Sequence, residues 1–421
     1  MLGFLITAIK IIFILGFLVL IHEGGHFFVA KLCKIKVNEF AIGFGPTIWK
    51  KQGKETKYAL RLIPVGGFVS MEGEDQRSDD ERSFSKSSIP KRIAVVLAGG
   101  LVNIIFALIV YFVLMASLGN NISNNVDKVV EGSNAQIAGL QANDKIISIN
   151  NKKIHNKADF DAEMDKCDGS RITIEVERNG EKLKFDFEPT EEKYNYTGIA
   201  IQYNEKNPNT KIAALYKNSP GALQGLEIND VIVKVNGTDV ENSTNKLVEL
   251  INKEQGKEIV FTVQRGNNIL DISIMPEVKS EYYLGVYLKM AEKNLSNNLY
   301  YAFYDTADFA FSIIDNLKML FTGNVSIDQF VGPVGIGEVV AKTTGFSDFI
   351  YILALVSISL GFTNLLPFPP LDGGKVVLLL IEAIRRKPLK EQTEMTIQMI
   401  GFMLLMGLSV YVTYNDILRI F

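Results

Sequence analysis

Apolar positions along this chain collect in long, nearly unbroken runs. From Ile6 to Ile21 only Lys10 interrupts the run, and with Leu2 to Leu5 it reaches the roughly 20 residues that a bilayer core demands. Comparable runs predict spans over about Ile93–Leu118, Phe349–Leu366 and Ile397–Tyr411. The stretch Val376–Ile384 is apolar but about half that length, which predicts a half-helix dipping into the membrane or buried in protein. The first run also fits the core of a cleaved signal peptide. It is longer than such a core, no Ala-x-Ala follows it and a helical motif continues straight out of it, so the expectation is a retained span.

Between Asn120 and Asn298 the pattern changes to short alternating strands. Ser133–Ile154 returns at an offset of 86 as Ser219–Val240, matching Gly139 to Gly225, Leu140 to Leu226, Asp144 to Asp230 and Asn150 to Asn236. Two copies of one small domain therefore follow each other. Each copy opens with a short helix, then a Gly-Leu turn, an Asn-Asp turn and an alternating strand (Ile147, Ile149; Val231, Val233, Val235). A hairpin turn follows at Asn179-Gly180 or Gly266-Asn267. His155 falls in a polar turn and reads as an ordinary exposed histidine.

Charge gives the orientation. The 421 residues carry 44 Lys plus Arg against 47 Asp plus Glu, a formal net charge of −3 that excludes a bulk polyanion binder. Thirteen of the basic residues lie between Lys31 and Arg92, and Arg385, Arg386, Lys387 and Lys390 cluster after the third span. Basic loops stay on the cytoplasmic side, so both connections are expected inside. Four spans satisfy both assignments, with the termini and the repeats outside. Cys33 and Cys167 are the only cysteines, which rules out a disulfide framework and a Cys-x-x-Cys metal site.

The chemistry starts at His22-Glu23-Gly24-Gly25-His26. A spacing of four puts both imidazoles on one helix face, where they can share a tetrahedral metal with Glu23 beside them as general base. Such groups are costly inside a membrane helix unless something uses them. Zinc needs a third protein ligand and keeps its fourth position for water. Asp372, in Asn364-Leu-Leu-Pro-Phe-Pro-Pro-Leu-Asp-Gly-Gly374, is the expected one. Pro367, Pro369 and Pro370 break the third helix, and Gly373-Gly374 are read as allowing the chain to restart. At about 1.5 Å per helical residue, His22 and Asp372 both approach the cytoplasmic leaflet. The competing reading of Asp372 is an N-cap of the half-helix.

These two motifs, the four spans and the repeated pair together resemble the site-2 protease family of intramembrane zinc metalloproteases, in its bacterial regulator-of-sigma-E branch with tandem PDZ domains. The resemblance covers essentially the whole chain. It implies a membrane α-helical core of four transmembrane helices with a membrane-dipping β element, plus two α+β PDZ-like domains in tandem. The implied ligands of Zn2+ are His22, His26 and Asp372, with Glu23 catalytic. Gly43-Phe44-Gly45-Pro46 and Ile63-Pro64-Val65-Gly66-Gly67-Phe68-Val69 match the β element that holds substrate as an extended strand, which assigns Gly43, Phe44, Gly45, Gly66 and Gly67 to substrate binding. Asn364 is expected to hold substrate backbone or the oxyanion, and Gly332-Pro333-Val334-Gly335 resembles a further family element. One departure is Ala98-Gly99-Gly100, where the family usually has Ala-Gly-Pro; Asn103 follows in the expected place.

The domains expected on this basis are 1–30 (first span), 31–92 (cytoplasmic loop and β element), 93–118 (second span), 120–200 and 201–290 (PDZ-like), 291–345 (linker and amphipathic helix), 346–384 (third span, break and half-helix) and 396–415 (fourth span). The function implied is cleavage of single-span membrane proteins, of the anti-sigma-factor or remnant-signal-peptide kind, by a multi-pass protein of the plasma (inner) membrane. The PDZ-like pair would take extended peptides or act as a size filter. Two rival classes are a metal transporter, which has no need of Glu23, and a catalytically silent PDZ scaffold, which has no need of zinc.

Overall fold

The computed structural model of the chain describes residues 2–74, 76, 78–119, 121–201, 209–216, 218–322, 332–343 and 345–420. The expected domain boundary at Asn120 and part of the 291–345 linker lie outside the described residues. Two compact units form, one from Met1–Asn121 with Met290–Phe421 and one from Ile122–Lys289.

The first unit begins with α1 (Leu2–Leu32), which continues unbroken through the His-Glu-Gly-Gly-His motif. Then β1 (Val37–Gln52) and β2 (Lys57–Met71) pair antiparallel in a double register, so that Ile42 faces both Leu60 and Gly67. Both strands bend sharply. The segment around Phe68–Met71 is consequently an outer edge, bonded to β1 on one side. Next comes α2 (Ile89–Leu118), opened by a proline in its first turn and closed by Gly119 in the left-handed conformation, whose N–H donates to Met115 O.

The second unit carries the repeat. In the first copy lie β3 (Ile122–Val129), α3 (Asn134–Ala138), β4 (Lys145–Ile149), β5 (Lys152–Lys153), α4 (Lys157–Met164), β6 (Ile172–Arg178) and β7 (Glu181–Phe187). After it come β8 (Thr190–Tyr196) and β9 (Ile199–Ile201). The second copy supplies β10 (Ile212–Leu215), α5 (Pro220–Leu223), β11 (Val231–Val235), β12 (Thr238–Asp239), α6 (Thr244–Asn252), β13 (Ile259–Arg265) and β14 (Asn268–Ile274), followed by β15 (Glu277–Tyr283) and β16 (Val286–Met290). The trailing strands are exchanged. β9 pairs with β10 of the second copy, β16 lies beside β3 of the first, and β8 pairs with β15 to tie the two together.

Packing agrees with the pairing, since Ile199 and Ile201 join the core of the second copy and Leu284, Val286 and Leu288 that of the first. A boundary at 200 therefore cuts through β9. The repeat marks which segments are alike, but pairing is decided by which sheet edge is free, and that is not a local property of sequence. The Asp of each Asn-Asp turn is buried against an arginine. Arg178 Nε and Nη2 grip Asp144 at 2.6 and 2.7 Å, and Nη2 also donates to Gly139 O. Arg265 repeats the clamp on Asp230, at 2.8 Å twice, and on Gly225 O. His155 is half-buried rather than exposed, because its Nδ1 and backbone N–H both reach Asp159 Oδ2 at 2.8 Å.

The first unit resumes with α7 (Leu295–Phe321), α8 (Pro333–Lys342), α9 (Phe346–Asn364), α10 (Asp372–Arg385) and α11 (Glu391–Ile420). Among the described residues four helices, α1, α2, α9 and α11, are long and apolar enough to cross a membrane. α10 is longer than the expected 376–384, because Asp372 already has helical geometry and the helix runs on to Arg385. α2 and α9 meet at two glycines, where a Cβ on Gly361 would lie 2.6 Å from Gly100 O. Small residues let membrane helices approach this closely. Gly100 thus occupies a helix contact, and α2 continues through it.

Candidate metal centre

The helical spacing of four brings His22 and His26 together, with Nε2 atoms 3.2 Å apart and rings edge to face. Asp372, on the first turn of α10, completes the cluster: its Oδ2 lies 3.2 Å from His22 Nε2 and 3.4 Å from His26 Nε2. Two imidazoles and a carboxylate are a zinc donor set. Ligands about 2.0–2.1 Å from a tetrahedral zinc stand roughly 3.3–3.4 Å from one another, so this triangle matches one face of the coordination tetrahedron and leaves the fourth vertex open.

Further observations fit a cation there. Asp372 Oδ2 is buried and receives no hydrogen bond of acceptable geometry. The N-cap of α10 is Leu371, so the aspartate is not spent on capping. His26 Nδ1 is 2.8 Å from Val95 O and donates to it, which leaves the Nε2 lone pair directed at the cluster. Gly99 gives the rings their room, because a Cβ there would come to 2.3 Å from His26 Nε2 and 2.8 Å from His22 Cε1. Asp372 is delivered by a tight loop in which Leu365 N–H donates to Phe362 O and Leu371 N–H to Phe368 O. Gly373 and Gly374 lie inside α10, and Cβ atoms on them would meet Leu365 O at 2.2 Å and Phe368 C at 2.6 Å. Their absent side chains serve close approach of the loop, not a restart of the helix.

Glu23 packs against the β element: a Cβ on Gly67 would sit 3.2 Å from Glu23 Cγ. Gly43, Gly45 and Gly66 all have positive φ, at 85°, 84° and 96°, and shape the bends of β1 and β2. Phe44 covers Gly66 so tightly that a Cβ there would overlap its ring. Asn364 is the last residue of α9. Gly99 falls in the Ala98-Gly99-Gly100 element that the sequence singles out, but its role beside the rings does not show there, and Val95 O, a backbone carbonyl, carries no sequence signal.

A membrane-embedded zinc metallopeptidase is the class that this helical core and donor set define. Residues 10–408 match the profile of peptidase family M50, and the chain belongs to that family. It is 28% identical to the "Regulator of sigma E protease" of Haemophilus influenzae, across 99% of this chain and 100% of that protein. It is 30% identical to "Zinc metalloprotease RasP" of Oceanobacillus iheyensis and 31% identical to "Probable protease eep" of Enterococcus faecalis, across 99% of both chains in each case. Among solved structures, an HtrA3 PDZ domain bound to a phage-derived ligand aligns with 22% of this chain and 93% of its own at 26% identity, with a TM-score of 0.19. The protein is an intramembrane zinc metalloendopeptidase of the site-2 protease type, with four candidate membrane spans in one unit and two small α+β repeats in the other.

Proposed function

We propose that His22, His26 and Asp372 hold the zinc and that Glu23 is the general base for hydrolysis of a peptide bond within, or at the cytoplasmic edge of, a single-span substrate's transmembrane helix. The observation that carries this reading is the Nε2, Nε2, Oδ2 triangle with sides of 3.2, 3.2 and 3.4 Å. Zinc held there supplies a Lewis acid that polarises the scissile carbonyl and lowers the pKa of a water towards about 7. Glu23 takes the proton of the attacking water and passes it to the leaving amine.

A peptide bond inside a helix cannot be attacked until it is unwound, and its freed N–H and C=O groups then need partners. The outer edge of β2 beside Gly67 and Glu23 offers them by strand addition, with Gly43, Phe44, Gly45 and Gly66 setting the bend. Ile48, Trp49, Leu62 and Ile63 are more than half exposed on the same element, which suits lipid. Asn364 is assigned to the substrate backbone or the oxyanion. The basic residues of 31–92 and 385–390 support a cytoplasmic placement of these loops, with both termini and the PDZ-like pair extracytoplasmic and the active site near the inner leaflet of the plasma membrane.

Beside the first repeat a cavity of about 970 Å³ lies between α4, at Phe160 and Met164, and the segment Leu284–Tyr287 that leads into β16, with β8 and β15 also lining it. β16 is an edge strand of its six-stranded sheet, so an extended peptide can add to it. The PDZ-like pair then screens substrates, anti-sigma factors or remnant signal peptides whose outer domain is already gone. The deciding experiment incubates purified protein and its Glu23→Gln variant with a model single-span substrate in detergent, with and without chelator. Cleavage by the wild type alone, abolished by chelator, is expected; chelator-resistant cleavage, or cleavage by the variant at the wild-type rate, overturns the proposal.

A further inference from the structure

Asn103 of α2 is completely buried and faces the remote ring nitrogen of His22, with Asn103 Nδ2 3.5 Å from His22 Nδ1. Its Oδ1 is buried without a hydrogen-bond partner. The residue is held rigidly: Ser357 Oγ donates to its backbone carbonyl at 2.9 Å, and a Cβ on Gly361 would stand 3.0 Å from its own Cβ.

We infer that Asn103 presents its amide oxygen to His22 Nδ1–H and thereby fixes the tautomer that frees His22 Nε2 for metal. The inference rests on the reading of His22 as a ligand. A neutral imidazole that coordinates through Nε2 must carry its proton on Nδ1, and a metal-bound histidine places that proton on an acceptor. For His26 the acceptor is Val95 O. For His22 the group at that place is Asn103. The two ends of an amide are assigned from the network around them, and a half-turn about the terminal bond exchanges Nδ2 for the unpartnered Oδ1. A donor facing Nδ1 would instead favour the tautomer with its proton on Nε2, where it blocks coordination. Asn103 is therefore a positioning residue that acts through His22.

The test compares full-length wild type, Asn103→Leu and Asn103→Asp, purified in detergent with zinc bound, by the rate at which each loses zinc to an excess of chelator. Leucine matches the volume without polar atoms, whereas aspartate keeps the acceptor and removes the donor. Leu is expected to release zinc on the order of 10- to 100-fold faster, and Asp to stay within a few-fold of wild type. Wild-type zinc retention by Leu overturns the inference, as does an Asp variant as leaky as Leu, since that pattern marks the amide nitrogen as the group that matters. Wild-type protein that binds no zinc at all sinks the ligand reading of His22 and this inference with it; zinc held equally by all three sinks the inference alone.

Discussion

Gly99 and His26 meet across the α1–α2 interface with no room for a methyl group between them. Helix propensity by itself would favour alanine over glycine at position 99 by about 1 kcal/mol. Gly99→Ala is nevertheless expected to lose zinc and to lower turnover at least 10²-fold, because misplacing a catalytic group by about 1 Å costs that much. Zinc per protein and cleavage rate, measured on a variant whose purification and unfolding midpoint match wild type, check this. Full zinc content with full activity would mean that the rings do not need the space.

Glu23 separates a peptidase from a metal carrier. In Glu23→Gln the triangle of His22, His26 and Asp372 is untouched, so zinc content stays at the wild-type level while cleavage falls by about 10²–10⁴-fold, the usual contribution of a general base. Loss of zinc in this variant would instead make Glu23 a ligand.

Two charges hold α8 by its ends. Lys10 Nζ donates to Thr343 O and Oγ1, both at 3.0 Å, at the C-terminal end of the helix. Asp416, almost fully buried on α11, accepts from Gly332 N–H at 3.2 Å and Gly335 N–H at 2.8 Å at the other end. A cation at the carbonyl end and an anion at the amide end both complement the helix dipole, and both sit on helices otherwise apolar enough to span. Asp416→Ala strands two buried N–H groups and is expected to cost on the order of 2 kcal/mol, against less for Lys10→Met. Denaturant or thermal unfolding in detergent reads the difference, and a neutral Asp416→Ala would show that α8 is held by packing alone.

The Asp230–Arg265 clamp makes the second repeat acid-labile. Burial would push the Asp230 carboxyl up, but the Arg265 guanidinium outweighs it and holds the group below the ordinary range. A depressed pKa stabilises the fold above the unfolded value of about 3.9, and that stability is lost as pH falls through the folded value. Hydrogen exchange across Val231–Val235 is therefore expected to accelerate below about pH 4 in wild type. Asp230→Asn should already be weakened at neutral pH, on the order of 1 kcal/mol, with the gap closing in acid. A gap that does not change with pH would remove the clamp from the account.

The spans, the repeat and the His22–His26 pair are legible in the sequence because each is written locally, as an unbroken apolar run, an offset or a fixed spacing. Asp372 reaches the histidines only through tertiary packing, yet depth along two helices brings it to the right level. The exchange of β9 and β16 is not legible, since strand alternation names a face and not a partner. Lys10 stands out as the single break in the first apolar run, but its purpose lies on α8, more than 300 residues away in sequence. His155 shows the converse: its turn reads as exposed, yet the residue is half-buried and lies in hydrogen-bond contact with Asp159.

Zinc K-edge X-ray absorption on the full-length Glu23→Gln protein addresses the first coordination sphere itself. Two imidazole nitrogens and carboxylate and water oxygens, all at about 2.0–2.2 Å with no sulfur, is the predicted result, and in Asp372→Ala the carboxylate contribution should vanish with zinc bound more weakly. A spectrum with sulfur or with one imidazole, or one that Asp372→Ala leaves unchanged, would contradict the account.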